Sequence, residues 1–209
     1  MKHILCFGDS NTYGYIPQTG KRYPWGVRWT SILNEELGLD NYRVIEEGLC
    51  GRTTIFEDPL REGRRGTKLL PLLLETHNNP DLIVVMLGTN DCKTVYGATP
   101  EIIGKGVKKL LAQIKNLSKD SKVLLISPIH LGERVWEDNF DTEFSPKSVE
   151  ISKKLANVYS RISKEENIYY LDASKYSSPS ETDQEHMDEN GHKALARAVL
   201  TKIKEIEVA

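Results

Sequence analysis

An α/β fold, with a five-stranded parallel sheet wrapped by helices, is what the sequence predicts, and three observations lead there. Short β-rich runs recur at wide spacing, stretches of helical periodicity lie between them, and the runs are partly apolar on both faces. The strands are read at residues 3 to 7, 42 to 46, 82 to 87, 122 to 127 and 168 to 172.

The intervening segments carry apolar stripes suited to packing on such a sheet. Trp29, Ile32, Leu33 and Leu37 line one helical face, and Ile103, Val107, Leu110, Ile114 and Leu117 line another at spacings of three and four. Thr99 before Pro100 and Ser145 before Pro146 each place a capping hydroxyl ahead of a proline at the first helical position. The second start feeds Ile151, Leu155, Val158 and Ile162, and a final helix after Gly191 carries Leu195, Val199 and Ile203. Parallel strands need right-handed crossovers, and in doubly wound sheets the ligand site lies beyond the carboxyl ends of the strands. The loops after the strands are therefore where chemistry is expected.

Composition narrows the function classes. The 209 residues, 39% of them hydrophobic, are expected to form a single domain over 1–209. With 28 Lys and Arg against 30 Asp and Glu, the net charge of −2 lacks the positive excess of a nucleic-acid binder. No apolar run approaches the ~20 residues that span a bilayer, so no membrane partner is expected. The apolar stretch Ile4 to Phe7 is too short for a secretory signal, and Cys6, Cys50 and Cys92 form neither a disulfide framework nor a CxxC motif. A reducing cytoplasm is the expected location.

Three strand-end loops set glycine beside small polar residues: Gly8 to Thr12, Gly48 to Arg52, and Gly88 to Asp91. Ser10, at the end of the first strand, is positioned to project a hydroxyl above the sheet. Such a hydroxyl needs a base, usually a histidine held by a carboxylate. Of the five histidines, His3 lies within a strand, and His77 is expected to cap a helix end. His192, in the first turn of the last helix, is expected at the surface. His130, just after the fourth strand, is a candidate for substrate contact. His186 differs, because Asp183 stands three residues before it in a polar loop. An isolated Asp-x-x-His is more often a solvated turn, so this pair needs the other loops as support. Acyl transfer also requires donors aimed at a developing oxyanion, and the Ser10 N–H, the Gly51 N–H and the Asn90 amide all come from strand-end loops.

Four blocks, Phe7-Gly8-Asp9-Ser10, Gly48 to Thr54, Gly88-Thr89-Asn90-Asp91 and Asp183-Gln184-Glu185-His186, together resemble in order the signature of the SGNH hydrolases, or GDSL esterases and lipases. The resemblance spans nearly the whole chain. It implies a flavodoxin-like three-layer α/β/α sandwich, a catalytic Ser10, Asp183 and His186, and an oxyanion hole formed by Ser10, Gly51 and Asn90. Arg28 to Thr30, Glu46 to Gly48 and Met86 to Asp91 also resemble the bacterial aryl esterase/acyltransferase and acetylxylan esterase sub-group, several members of which are octamers, so a homo-oligomer is expected. The chain departs from the usual nucleophile block at Asn11, where leucine is common, which makes the surroundings of Ser10 more polar.

The reaction expected is hydrolysis of a small acyl ester, acetyl first and carbohydrate acetate foremost, through an acyl-enzyme on Ser10, with transfer to alcohols as a second outlet and no cofactor or metal. Candidate substrate contacts are Asp9, Tyr13, Tyr15, Trp25, His130 and Trp136, the last two within the stretch Ile129 to Phe144. The basic run Arg61 to Gly66 is read as a solvated loop by default, with an anion site or an interface as the alternatives. The competing reading is a flavodoxin-like module that binds FMN or another anion through Ser10, Asn11 and Thr12. That reading leaves Asp183 and His186 without a role.

Overall fold

The computed structural model describes residues 1–208. Strands β1 (Lys2–Gly8), β2 (Tyr42–Gly48), β3 (Leu82–Met86), β4 (Lys122–Ser127) and β5 (Tyr169–Asp172) form one sheet in the order β2-β1-β3-β4-β5, with every neighbouring pair parallel. The chain steps from β1 to β2 on one side, then returns past β1 to lay down β3, β4 and β5 on the other. That reversal leaves a crevice above the carboxyl end of β1, between β2 and β3. The strand boundaries agree with the expected ones to within two residues.

Both faces of the sheet are covered, which is why its strands are not strictly alternating in polarity. On one face Leu5, Phe7, Ile83 and Val85 pack with Leu70 and Leu74 of α3 (Gly66–His77), Val107 and Leu110 of α4 (Pro100–Leu117), and Leu155 of α5 (Pro146–Glu165). On the other, Ile4, Cys6, Val84 and Met86 pack with Trp29 and Leu33 of α2 (Trp29–Leu37) and Leu195 and Val199 of α6 (Glu189–Val208). The result is a three-layer α/β/α sandwich. A one-turn helix, α1 (Ser10–Tyr13), follows β1 directly.

The expected helix starts are present with their caps. Thr99 Oγ1 accepts from the Ile102 N–H at 3.3 Å, and Ser145 and Ser148 form a reciprocal capping box. The α4 stripe is buried only as far as Ile114, since Leu117 in the last turn is exposed. Helix α6 begins two residues before Gly191. Helix α3 was not announced by any capping residue, and Pro71 interrupts it. Proline removes the N–H that would bond the Thr67 carbonyl four residues back, and Gln113 Nε2 of α4 donates to that carbonyl instead at 2.7 Å.

Two histidine expectations are corrected. His77 does not cap α3. Its Nε2 lies 2.8 Å from Glu47 Oε1 of the strand segment, while Asn78, at φ 46°, ends the helix with its N–H on the Leu74 carbonyl. His192 is not at the surface but completely buried, because the first turn of α6 faces α2 rather than solvent. Its Nδ1 accepts from the Trp29 N–H at 3.3 Å, and its Nε2 has no protein partner among the described residues.

Burial without a counter-ion pushes the His192 pKa down to about 4, with Asp188 opposing only weakly. In the unfolded chain the ring titrates near about 6.5, so the unfolded state takes up the proton first. His192 therefore withdraws stability as the pH falls from about 6.5 towards 4, by roughly 3 kcal/mol when the drop is complete. Urea denaturation at pH 7 and pH 4.5 is expected to show a larger stability loss for the parent than for His192→Asn, which keeps a hydrogen-bond acceptor but has nothing to protonate.

Candidate active site

The site is assembled on the crevice above β1. Ser10, 3% exposed, opens α1 immediately past the strand, and Asp9 caps that turn by accepting the Asn11 N–H at 3.0 Å. Ser10 Oγ lies 2.9 Å from His186 Nε2, and His186 Nδ1 lies 2.7 Å from Asp183 Oδ2. The chain ends are thus joined into one continuous hydroxyl, imidazole and carboxylate line.

The turn that carries His186 is held tightly. Asp183 Oδ1 accepts from the backbone N–H groups of Glu185 at 3.1 Å and His186 at 2.9 Å, and the Ser180 N–H donates to the His186 carbonyl at 2.7 Å. Gln184 sits at φ 61°, a left-handed conformation that lets the chain reverse within this short span. Gly132 makes the close approach beneath it: its N–H donates to the Gln184 carbonyl at 2.7 Å, and a β-carbon there would lie 2.2 Å from Gln184 Oε1. Asn11 staples this turn to α1. Its Oδ1 accepts the Met187 N–H at 3.0 Å and its Nδ2 donates to the Glu185 carbonyl at 3.3 Å.

The remaining loops are locked to one another from below. Buried Asp91 accepts from the Thr54 N–H at 2.9 and 3.0 Å and from the Thr54 hydroxyl. Arg52 Nη1 donates to the carbonyls of Gly8, at 2.8 Å, and Glu47, with its guanidinium 4.3 Å from the centre of the Phe7 ring. These contacts bring Gly51, at φ 80°, and Asn90 to the same cavity as Ser10. Only glycine suits that position, because a β-carbon would also meet Arg61 Nη2 at 2.5 Å. Among the described residues the Ser10 and Gly51 N–H groups donate to no protein acceptor. Asn90 gives one amide hydrogen to the Arg52 carbonyl at 3.2 Å and keeps the other.

Electrostatics follow from burial and neighbours. Burial opposes charge on Asp183, but hydrogen bonds from His186 and the turn amides hold its carboxyl below the ordinary value. Burial also opposes the His186 imidazolium, yet Glu185, then Asp183 and Asp9, outweigh it and raise the ring to about 9. Asp9 is raised to about 7 and Asp91 to about 6, both chiefly by burial.

Of the other expected substrate contacts, the structure brings only Tyr15 to the site, where its ring centre lies 4.4 Å from that of His186. Asp9 is turned inward as a cap. Tyr13 lies under Arg22, Trp25 is half-exposed beside Arg28, and neither lines the cavity. His130 faces Asp172 and Lys153 at the β5 side, and Trp136 bonds the Glu133 carbonyl at 2.9 Å on the outer surface. The stretch containing these two does reach the cavity, but through Asn139, Phe140, Asp141 and Glu143. The cavity, about 680 Å³, also receives Glu185, Lys93 and Arg61, so the basic run is not wholly a solvated loop. Glu185 lies within the fourth motif block and Lys93 two residues past the third, and that proximity was the available signal. Among the described residues no cluster of His, Cys, Asp and Glu is arranged to hold a metal ion, and no helix is long and apolar enough to cross a membrane.

A parallel α/β sandwich with this line of groups at its carboxyl edge defines the class as carboxylic ester hydrolases. The sequence profile of the GDSL-like lipase/acylhydrolase family matches residues 6–194, and the chain belongs to that family. Among solved structures, the aryl esterase of M. smegmatis is 32% identical, with 98% of this chain and 99% of that one covered and a TM-score of 0.87. A carbohydrate acetylesterase family member from Sinorhizobium meliloti is 33% identical over 99% of both chains, with a TM-score of 0.91. A lipase/acylhydrolase from Enterococcus faecalis, 21% identical over 99% of this chain and 97% of that one with a TM-score of 0.71, shares the fold. No curated protein sequence matches the chain. Family membership displaces the FMN-module reading, and the Ser10 hydroxyl is engaged by an imidazole.

Asn11→Leu is expected to leave the buried Met187 N–H without its acceptor, at a cost of about 1–3 kcal/mol, and to loosen the His186 turn. Denaturant unfolding should report the lost stability. Steady-state kinetics should report a fall in kcat larger than any rise in KM.

Proposed function

We propose that this chain is a serine esterase that hydrolyses small acyl esters, acetyl first, of carbohydrates through an acyl-enzyme on Ser10. The observation that carries the reading is the unbroken line from Ser10 Oγ through the His186 ring to Asp183, at 2.9 and 2.7 Å, beside two backbone N–H groups that have no acceptor among the described residues. The named likeness to an aryl esterase and a carbohydrate acetylesterase supports the substrate class.

In the proposed mechanism Ser10 Oγ attacks the ester carbonyl carbon while His186 Nε2 takes the hydroxyl proton. The Ser10 and Gly51 N–H groups and Asn90 Nδ2 receive the oxyanion of the tetrahedral intermediate. Its collapse breaks the bond to the alcohol oxygen, which leaves with the proton returned by Nε2. Water then attacks the acyl-enzyme with His186 again as base, releasing the carboxylic acid and restoring Ser10. An alcohol in place of water gives acyl transfer. Asp183 keeps the ring oriented and stabilises the imidazolium. The reading includes a homo-oligomeric, cytoplasmic protein that binds neither nucleic acid nor membranes. Assembly rests on the resemblance to the octameric sub-group, and light scattering coupled to gel filtration tests it.

Ser10→Ala is expected to abolish turnover of p-nitrophenyl acetate and labelling by a fluorophosphonate; a variant that retained the parent rate would overturn the mechanism. Asn90→Ala is expected to lower kcat by roughly a hundredfold to a thousandfold with the fold intact.

The pH dependence has a definite sign. His186 works as a base only when neutral, and Glu185, Asp183 and Asp9 together hold the proton on it up to about 9. The rate is thus expected to climb from neutral to alkaline pH, with the acidic limb of kcat/KM inflecting well above the ordinary histidine value. A profile flat from pH 6 upward would contradict this assignment.

A further inference from the structure

Glu185 transfers no proton and forms no bond in the mechanism above, where it only raises the basicity of His186, yet it lies beside its central atom. The residue is 7% exposed, its carboxylate opens into the cavity, and among the described residues that carboxylate makes no hydrogen bond. Its Oε1 stands 3.8 Å from His186 Nε2, the atom that returns a proton to the departing alcohol. Of the cavity's other charged side chains, Lys93 Nζ pairs with Glu143 Oε2 at 2.5 Å and Arg61 with Asp58 at 3.1 Å, while Asp141 accepts the Glu143 N–H at 2.9 Å. Asp183 is turned to His186 Nδ1. A buried carboxylate left without donors is costly unless a ligand supplies them.

The geometry fixes which part of an ester arrives there. The leaving oxygen must come within hydrogen-bond reach of Nε2, whereas the acyl carbonyl oxygen points to Ser10 N–H, Gly51 N–H and Asn90. Glu185 therefore stands on the alcohol side of the scissile bond, and a group one or two carbons from the leaving oxygen comes within reach of it. We propose that Glu185 is a specificity-determining residue that accepts a hydrogen bond from a hydroxyl neighbouring the esterified oxygen, and so selects esters of polyhydroxylated alcohols over esters of phenols and simple alkanols. This rests on the esterase reading and deepens it. A site built to bond a substrate hydroxyl discriminates strongly against the analogue lacking it, because its buried polar group is then left unpaired. In the second half-reaction the same preference favours polyols over simple alkanols as acyl acceptors.

The test compares kcat/KM for a monosaccharide monoacetate carrying a free hydroxyl beside the acetate with kcat/KM for its deoxy analogue lacking that hydroxyl. It is made on the parent, Glu185→Gln and Glu185→Leu. Removing Glu185 also alters the basicity of His186, but the two leaving alcohols are of similar acidity, so that change acts on both esters nearly alike and largely cancels in the ratio. The hydroxy-to-deoxy ratio is expected to fall at least tenfold in Glu185→Leu and by less in Glu185→Gln, which keeps the shape and an acceptor oxygen. Ratios within twofold of the parent in both variants, with the parent active on both esters, would overturn the assignment of Glu185 and leave the esterase reading standing. Failure of the parent on both esters, with Ser10 unlabelled by a fluorophosphonate, would overturn the esterase reading and this inference together.

Discussion

The 2.9 Å contact between His186 Nε2 and Ser10 Oγ joins residues 176 positions apart, and the rest of the architecture serves to make that contact stationary. Ser10 is fixed because α1 grows directly from the end of a central strand that is paired on both sides. His186 is fixed because its turn is bonded internally through Asp183, supported from beneath by Gly132, and fastened to α1 by Asn11. An imidazole on a free loop would sample many orientations, and each ångström of misplacement weakens proton transfer steeply. The sheet supplies one fixed point and the Asn11 staple supplies the other.

Holding the loops together requires polar groups where the sandwich would otherwise be apolar. Asp91, Arg52 and Asp9 are all buried at the strand ends, and burial shifts each towards its neutral form. Asp91 and Arg52 offset that penalty by bonding backbone groups of a neighbouring loop, so each is a cross-link as well as a charge. Among the described residues Asp9 Oδ2 is left without a protein partner. The acids around His186 act in one direction, favouring the imidazolium over the neutral ring. A base held by two flanking carboxylates is stronger when it acts, and is available only at higher pH.

How much of this was legible in the sequence depended on whether a residue's role was local or set by packing. The strands, the Thr99 and Ser145 caps and the strand-end loops are written in short-range pattern, and they were read correctly. The juxtaposition of Ser10, Asp183 and His186 was legible only through the order of four blocks, since an Asp-x-x-His turn alone says nothing about a serine at the other end of the chain. His192 was misread because its helix turn, polar in sequence, faces α2. Trp25 and Trp136 look like ligand contacts by type, but neither lines the cavity that holds Ser10 and His186: Trp25 is half-exposed beside Arg28 and Trp136 bonds the Glu133 carbonyl. Helix α3 lacked a capping signal and contains a proline whose missing bond is made good only by α4, a tertiary fact.

The cavity's lining has a bearing on what can occupy it. A pocket made for long acyl chains is lined mainly by apolar side chains, because each buried methylene gains about 0.8 kcal/mol on leaving water. Here Asn139, Asp141, Glu143, Lys93, Arg61 and Asp58 share the walls with Phe140, Leu60 and Tyr15. Two ion pairs, Arg61 with Asp58 in one loop and Lys93 with Glu143, neutralise most of that charge without making the walls greasy. An extended alkyl chain would have to displace water from these groups without replacing its hydrogen bonds, whereas a short acyl group joined to a hydroxylated alcohol would not. The polarity of the walls and the position of Glu185 thus argue independently for the same kind of ester, one in which the acid part is small and the alcohol part carries the recognition.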